Sequence, residues 1–285
     1  MTPPDQIAAV PRQRVSKLLA PWLERRWPAV MGILNVTPDS FSDGGRFDAP
    51  ERALAHAKAM IAEGADIIDV GAESTRPYKG ATPVDEEEEI RRLRPILRDV
   101  VALGAPVSID TMKGNVARFA LDCGAAMLND VWGLQRDPLM ARVAADAAVP
   151  VVIMHNREAV DPALDIVRDM AAFFTRSLDI AAKAGIKPEN IILDPGIGFG
   201  KTPQQSMSAL ARLKELEVFG YPILVGASRK RFIASVSPSE PDQRLGGSLA
   251  AHLLAAQNGA KFIRAHDVAA TLQALRVACA IEDLR

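Results

Sequence analysis

From Val30 onward the chain repeats one unit eight times: a short apolar run rich in β-branched residues, a loop, then a longer segment whose apolar residues recur at helical spacing. The candidate strands occupy residues 30–35, 66–70, 106–110, 126–130, 150–154, 191–194, 222–226 and 261–264. Alternation of this kind makes parallel strands joined by helical crossovers, and eight of them suit a closed barrel. An open doubly wound sheet usually stops at about five or six strands and carries a glycine fingerprint after its first strand. No such fingerprint stands there. The expected fold is therefore α/β, a single (β/α)8 TIM barrel over residues 29–285, with residues 1–28 as an N-terminal extension packed on it. That extension holds Pro3, Pro4, Pro11, Pro21 and Pro28 with Trp22 and Trp27, and shows no sustained periodicity. A length of 285 residues suits one such domain, because barrels of this type use about 250.

A net charge of −1 argues against a nucleic-acid binder with a broad basic face, while leaving room for a few cations focused on a small anion. Cys123 and Cys279 sit in helical patterns without paired spacing, so neither a disulfide framework nor a cysteine metal site is expected. The first thirty residues lack the basic start, apolar stretch and small-residue cleavage site of a leader, and no run of 18 apolar residues occurs. A cytoplasmic protein without membrane contact is the expectation.

Three loops that follow strands are long: 36–50, 71–84 and 227–243. In a barrel they emerge at the C-terminal ends of the strands, the face on which this fold builds its sites. The strand ends bring Asn35, Asp69, Asp110, Asn129 with Asp130, His155, Asp194, Gly226, and Arg264 with His266 to that face. Some of these Asp and Asn residues could instead cap the helices that follow, Asp69 and Asp130 above all. Asp110, Asn129 and Asp194 can converge on one buried heteroaromatic ring, since a carboxylate accepts two parallel N–H bonds from a 2-amino and N3 edge. Lys230, Arg264 and His266 bring cations to loops that frequently hold phosphate in this fold. In the second loop Ser74, Thr75 and the planar fork of Arg76 suit an anion, and Pro77 stiffens the turn. The first loop, with Phe41 and Asp43 among Ser and Gly, reads as a lid over Asn35.

The segment Asp194 to Thr202, DPGIGFGKT, is not a P-loop, because Pro195 stands where that spacing needs glycine. Its glycines let the backbone approach a substrate, and Phe199 offers an apolar face. The acidic run Asp85 to Glu89 reads as the solvated first turn of a helix, where negative charge is favoured.

In this order the runs GILNVTPDSFSDGG, ESTRP, SIDT, LND, LDPGIGFGK, LVGASRK and RAHDV resemble the dihydropteroate synthase family along Val30 to Ile281. The resemblance implies an enzyme that joins 4-aminobenzoate to 6-hydroxymethyl-7,8-dihydropterin diphosphate, releasing diphosphate and 7,8-dihydropteroate. It implies pterin contacts at Asp110, Asn129, Asp194 and Lys230. Diphosphate contacts fall on Asn35, Thr75, Arg76, Arg264 and His266, with Mg²⁺ near Asn35. The aminobenzoate pocket, where sulfonamides would compete, falls on Thr75, Pro77, Phe199, Ser228 and Lys230. Asp110, Lys230, Arg264 and His266 would carry the chemistry. Since the leaving diphosphate is highly charged and an aromatic amine needs no strong base, dissociative substitution at the pterin methylene is the expected mechanism. The family also implies a homodimer, for which the apolar final helices could serve. Three rivals share the barrel: a methyltetrahydrofolate-dependent methyltransferase domain, which needs no diphosphate site, a non-catalytic pterin-binding paralogue, and a sugar-phosphate isomerase or lyase, for which a catalytic Lys or Glu pair inside the barrel would be expected.

Overall fold

The structure, a computed structural model, describes residues 16–36, 49–73 and 84–284. A short helix, α1 (Ala20–Leu23), precedes eight strands that close into a barrel in chain order. The strands are β1 (Ala29–Asn35), β2 (Ile67–Gly71), β3 (Val107–Asp110), β4 (Met127–Asp130), β5 (Val151–Met154), β6 (Ile191–Asp194), β7 (Ile223–Val225) and β8 (Ala260–Ala265). All pairs are parallel, and β8 closes on β1 with Arg264 opposite Met31. Every strand end falls within one residue of the position expected from the apolar runs.

Outside the barrel lie α2 (Ala49–Ala62), α3 (Glu86–Leu93), α4 (Leu97–Val101), α5 (Gly114–Asp122), α6 (Pro138–Ala147), α7 (Ile166–Ala184), α8 (Pro203–Ala211), α9 (Arg231–Val236), α10 (Leu245–Gln257) and α11 (Val268–Glu282). Their starts follow local chemistry. Asp137 caps α6 with Pro138 in its first turn, Asp165 caps α7, and Thr202 with Gln205 forms a capping box on α8. Among the described residues no helix is long and apolar enough to cross a membrane.

The alternation of strand side chains splits the apolar residues into two cores. Val30, Leu34, Ile68, Val70, Ile109, Leu128, Ile153 and Leu193 pack outward with the helices. Ala29, Met31, Ile67, Met127, Val152, Ile192, Leu224 and Phe262 form a separate cluster inside the barrel, together with Leu19 and Trp22. The segment before β1 thus plugs the N-terminal end of the barrel, with the Trp22 ring edge-on to Phe262 at a centroid distance of 6.1 Å. Asp66 fastens it there, accepting from Arg25 Nη1 at 2.5 Å and from the Val30 amide at 2.9 Å.

The acidic run at α3 does more than solvate a first turn. Asp85 caps the helix, but Glu89 is fully buried and takes the Lys113 ammonium at 2.6 Å. Lys113 also binds Glu73 at 2.7 Å, so β2, β3 and α3 are joined by one buried ion cluster.

Candidate active site

Two residues further along the same inward faces, each apolar residue of the lower barrel is followed by one nearer the C-terminal end. Ile67 is followed by Asp69, Met127 by Asn129, Ile192 by Asp194 and Phe262 by Arg264, with Ser108 and Asp110 on β3. A period of two fixes this: a side chain at i+2 stays on the face of i, one layer up. Asp69, Ser108, Asp110, Asn129 and Asp194 are all buried.

Arg264 organises the group. Its Nε donates to Asp69 Oδ2 at 2.6 Å and its Nη2 to Asp110 Oδ2 at 2.8 Å. Asn129 Nδ2 donates to the same Asp69 oxygen at 3.0 Å. Burial works against the Arg264 charge, but Asp69 and Asp110 outweigh it and hold the guanidinium above its usual range. Burial also pushes the Asp110 carboxyl up to about 7, against the pull of Arg264, and raises Asp194. Among the described residues, Asp110 Oδ1 and Asn129 Oδ1 are buried and accept no bond. Buried acceptors are rarely left so. They are suited to the N–H groups of a flat ring entering from the open end.

Across the mouth, Lys230 follows β7. Its ammonium donates to the Ile197 carbonyl and lies 4.6 Å from the centre of the Phe199 ring. Burial lowers its pKa to about 8. Ser228 Oγ accepts from the His266 amide at 3.2 Å and stands 3.0 Å from His266 Nδ1. Arg229, between Ser228 and Lys230 in the chain, turns away to Asp267. Asn35 ends β1 opposite Gly71, half-buried at the rim.

Asp110, Asn129, Asp194, Phe199, Ser228, Lys230, Arg264, His266 and Asn35 thus stand at one end of the barrel. Ser74, Thr75, Arg76 and Pro77, and the lid with Phe41 and Asp43, lie outside the described residues. Two strand-end residues part company with the rest. Asp130 faces outward and caps its own turn, accepting from the Trp132 amide at 2.8 Å and the Leu134 amide at 2.6 Å. His155 is buried against Phe173 and Phe174 and bonded to Asp169, away from the reacting face. Asp69, conversely, is no helix cap but the innermost partner of Arg264.

The fold and this face define an enzyme of the β/α-barrel class with a polar pocket for a flat heteroaromatic ring. The family model described as pterin binding enzyme matches residues 31–266. The dihydropteroate synthase of Bacillus subtilis is 48% identical over 240 residues, 84% of this chain and 83% of its own. The solved dihydropteroate synthase from Clostridium difficile, crystallised with pteroic acid, superposes with a TM-score of 0.86 at 47% identity over 90% of this chain and 97% of its own. That from Xanthomonas albilineans, solved with 4-aminobenzoic acid, gives 0.86 at 47% identity over 90% and 93%. The chain belongs to the dihydropteroate synthase family of pterin-binding enzymes.

Proposed function

We infer that the chain condenses 4-aminobenzoate with 6-hydroxymethyl-7,8-dihydropterin diphosphate, giving 7,8-dihydropteroate and diphosphate in folate biosynthesis. The observation that carries this reading is the inward ring of Asp110, Asn129 and Asp194 with Arg264 and Lys230 above an apolar floor, in a chain closely related to dihydropteroate synthases. Asp110, Asn129, Asp194 and Lys230 would take the polar edges of the pterin. Asn35, Arg264 and His266, with Thr75 and Arg76 of the second loop, would take the diphosphate. Phe199, Ser228 and Lys230, with Thr75 and Pro77, would line the aminobenzoate pocket.

The chemistry asks for stabilised charge rather than a strong base. The methylene C–O bond breaks with its electron pair going to the diphosphate, where fixed cations stabilise the negative charge as it develops. The cation left on the methylene is delocalised over the reduced pterin, and the Asp110 carboxylate lies on the face expected to hold that ring. The aniline nitrogen then donates its lone pair to the methylene and loses one proton. Asn35 offers one neutral oxygen, and Mg²⁺, which keeps waters and takes substrate phosphates as ligands, fits so small a protein contribution. When bound there it would neutralise charge on the leaving group. The reading extends to a cytoplasmic homodimer, supported by Leu254, Val277 and Ile281, each about half exposed on α10 and α11; light scattering tests the dimer.

Diphosphate release measured with and without 4-aminobenzoate tests the activity. Release that depends on the amine, with 7,8-dihydropteroate as product, is the expected result; release without such dependence, or none, overturns it. A methyl transfer to or from a reduced folate has no diphosphate to hold and so no use for Arg264 and His266 at the end of β8, and the methyltransferase reading is set aside.

A further inference from the structure

Behind the pocket wall lies a buried charged cluster that the chemistry above does not use. The loop after β6 runs through Gly196, Gly198 and Gly200, all at positive φ. It packs so closely on β5 that a side chain at Gly196 would stand 1.9 Å from the His155 carbonyl oxygen. Lys201, buried at the end of this loop, folds back under it. Its Nζ donates to the Gly196 carbonyl at 2.8 Å and the Phe199 carbonyl at 3.1 Å, and lies 2.7 Å from His155 Nδ1.

His155 Nε2 is 2.9 Å from Asp169 Oδ2, and a carboxylate only accepts, so Nε2 carries the ring hydrogen and Nδ1 is the acceptor. Three acceptors therefore surround Nζ, one for each hydrogen of an ammonium. Burial pushes the Lys201 pKa well down, and the charges of Asp194 and Asp169, with these three acceptors, oppose that push. Burial, followed by the Lys201 charge, lowers the His155 pKa to about 3 and keeps the ring neutral. Arg157 completes the cluster, donating to the other Asp169 oxygen at 2.7 Å.

The two clamped carbonyls bracket the groups that meet Lys230. Ile197, whose carbonyl accepts from Lys230, follows Gly196; Phe199, whose ring underlies the same ammonium, carries the second clamped carbonyl. We propose that Lys201 is a positioning residue: by drawing the Gly196 and Phe199 carbonyls onto one ammonium it holds the Ile197 carbonyl and the Phe199 ring against Lys230, and so shapes the wall that receives the 4-aminobenzoate ring. The last step rests on the activity inferred above. Lysine suits the task because a single nitrogen on a long, slender stem carries three donors that can reach three separate acceptors.

The test compares Lys201→Met and Lys201→Gln with Asp169→Asn, which weakens the same buried cluster but leaves both carbonyls clamped. Both Lys201 variants are expected to fold and to raise KM for 4-aminobenzoate about tenfold, with kcat changed less than about threefold, because hydrogen bonds from a charged donor that shape the second substrate's pocket are lost. Asp169→Asn is expected to lower Tm while leaving that KM near its wild-type value. A readout independent of turnover is hydrogen exchange of the peptide spanning residues 195–201. Its amides, including Phe199 N–H bonded to the Gly196 carbonyl, should exchange about tenfold faster in the Lys201 variants and unchanged in Asp169→Asn. Equal KM increases in all three variants, unchanged loop exchange, or failure of both Lys201 variants to fold would each overturn the proposal, since positioning presupposes a fold that survives without the ammonium. If wild-type enzyme formed no dihydropteroate, the inferred activity would fall, and the exchange data would still decide the fate of the loop clamp.

Discussion

The two halves of the barrel interior are built from the same strands, on the same inward faces, two residues apart. The lower half is filled by Met31, Ile67, Met127, Ile192, Leu224 and Phe262 and closed by Leu19 and Trp22. The upper half carries Asp69, Asp110, Asn129, Asp194 and Arg264. In the lower half every buried atom gains by leaving water; in the upper half each buried charge must be matched by another or by a ligand. The apolar floor supplies the rigidity on which unpaired acceptors such as Asp110 Oδ1 can be held ready. Stability and chemistry are thus stacked along single strands rather than divided between domains.

Strand β8 offers the sharpest way to break that division, since Phe262 and Arg264 are neighbours on one face. Arg264→Ala should lower kcat/KM by roughly 10²–10³, the scale for losing a donor to developing negative charge. It should also destabilise by about 3 kcal/mol, because Asp69 and Asp110 lose their buried partner. Phe262→Ala, one layer down, should cost about 3–5 kcal/mol by urea unfolding while kcat/KM per folded molecule stays within about twofold of wild type. If Phe262→Ala reduced turnover as strongly as Arg264→Ala, the two halves would not be separable.

The pH profile probes the upper half alone. If Asp110 acts as a carboxylate, its pKa of about 7 means that activity is lost as pH falls below that value. If Lys230 acts as an ammonium, its pKa of about 8 means that activity is lost as pH rises above it. The profile of kcat/KM, which reports the free enzyme, should therefore be a narrow bell with limbs near these two values, each falling about tenfold per pH unit beyond them. A flat profile from pH 6 to 9 would remove both groups from their assigned roles.

Much of this organisation could be read before any coordinates. Asp110, Asn129, Asp194 and Arg264 were legible because the apolar runs located every strand end, and strand ends of a barrel face one way. What stayed hidden was phase and distance. Asn129 and Asp130 are both polar and adjacent, and alternation lets only one point inward; a strand as short as Met127–Asp130 gives too few residues to say which. Asp69 and Asp130 looked alike as helix caps, yet one holds Arg264 and the other its own turn. Glu89 sits in a run of acids, and only Lys113, brought in by β3, explains its burial. Lys201 was visible within DPGIGFGK but its partners are backbone carbonyls and a histidine from another strand, which no spacing along the chain announces. Residues Thr75, Arg76 and Pro77, clear in the sequence, lie outside what the structure describes.

Asp69→Asn asks how the floor of the upper half supports the residues above it. Asp69 accepts from both Arg264 and Asn129, so neutralising it should lower kcat/KM about tenfold through loss of a charged hydrogen bond. A second readout separates positioning from simple weakening of the fold. The Asp69 charge helps to raise the Asp110 pKa, so its removal should move the acid limb below pH 7. An acid limb that stayed in place would mean that Asp69 does not act through its neighbours on the reacting face.

The smallest effect is expected at the rim, where Ser228 and His266 form a pair. The Ser228 hydroxyl can accept from the His266 amide while donating its hydrogen to Nδ1, which would make Nε2 the protonated nitrogen and hence a donor. A donor in that position would serve the diphosphate. If Ser228 works by setting that tautomer, Ser228→Ala should raise KM for the pterin diphosphate about fivefold, the scale of one net hydrogen bond, and leave KM for 4-aminobenzoate unchanged. The family resemblance places Ser228 in the aminobenzoate pocket instead, and then the second KM should move and the first should not. A double-mutant cycle with His266→Ala decides how the pair acts: coupled effects smaller than the sum of the single substitutions mean that serine works through histidine, whereas additivity means that each meets its own substrate.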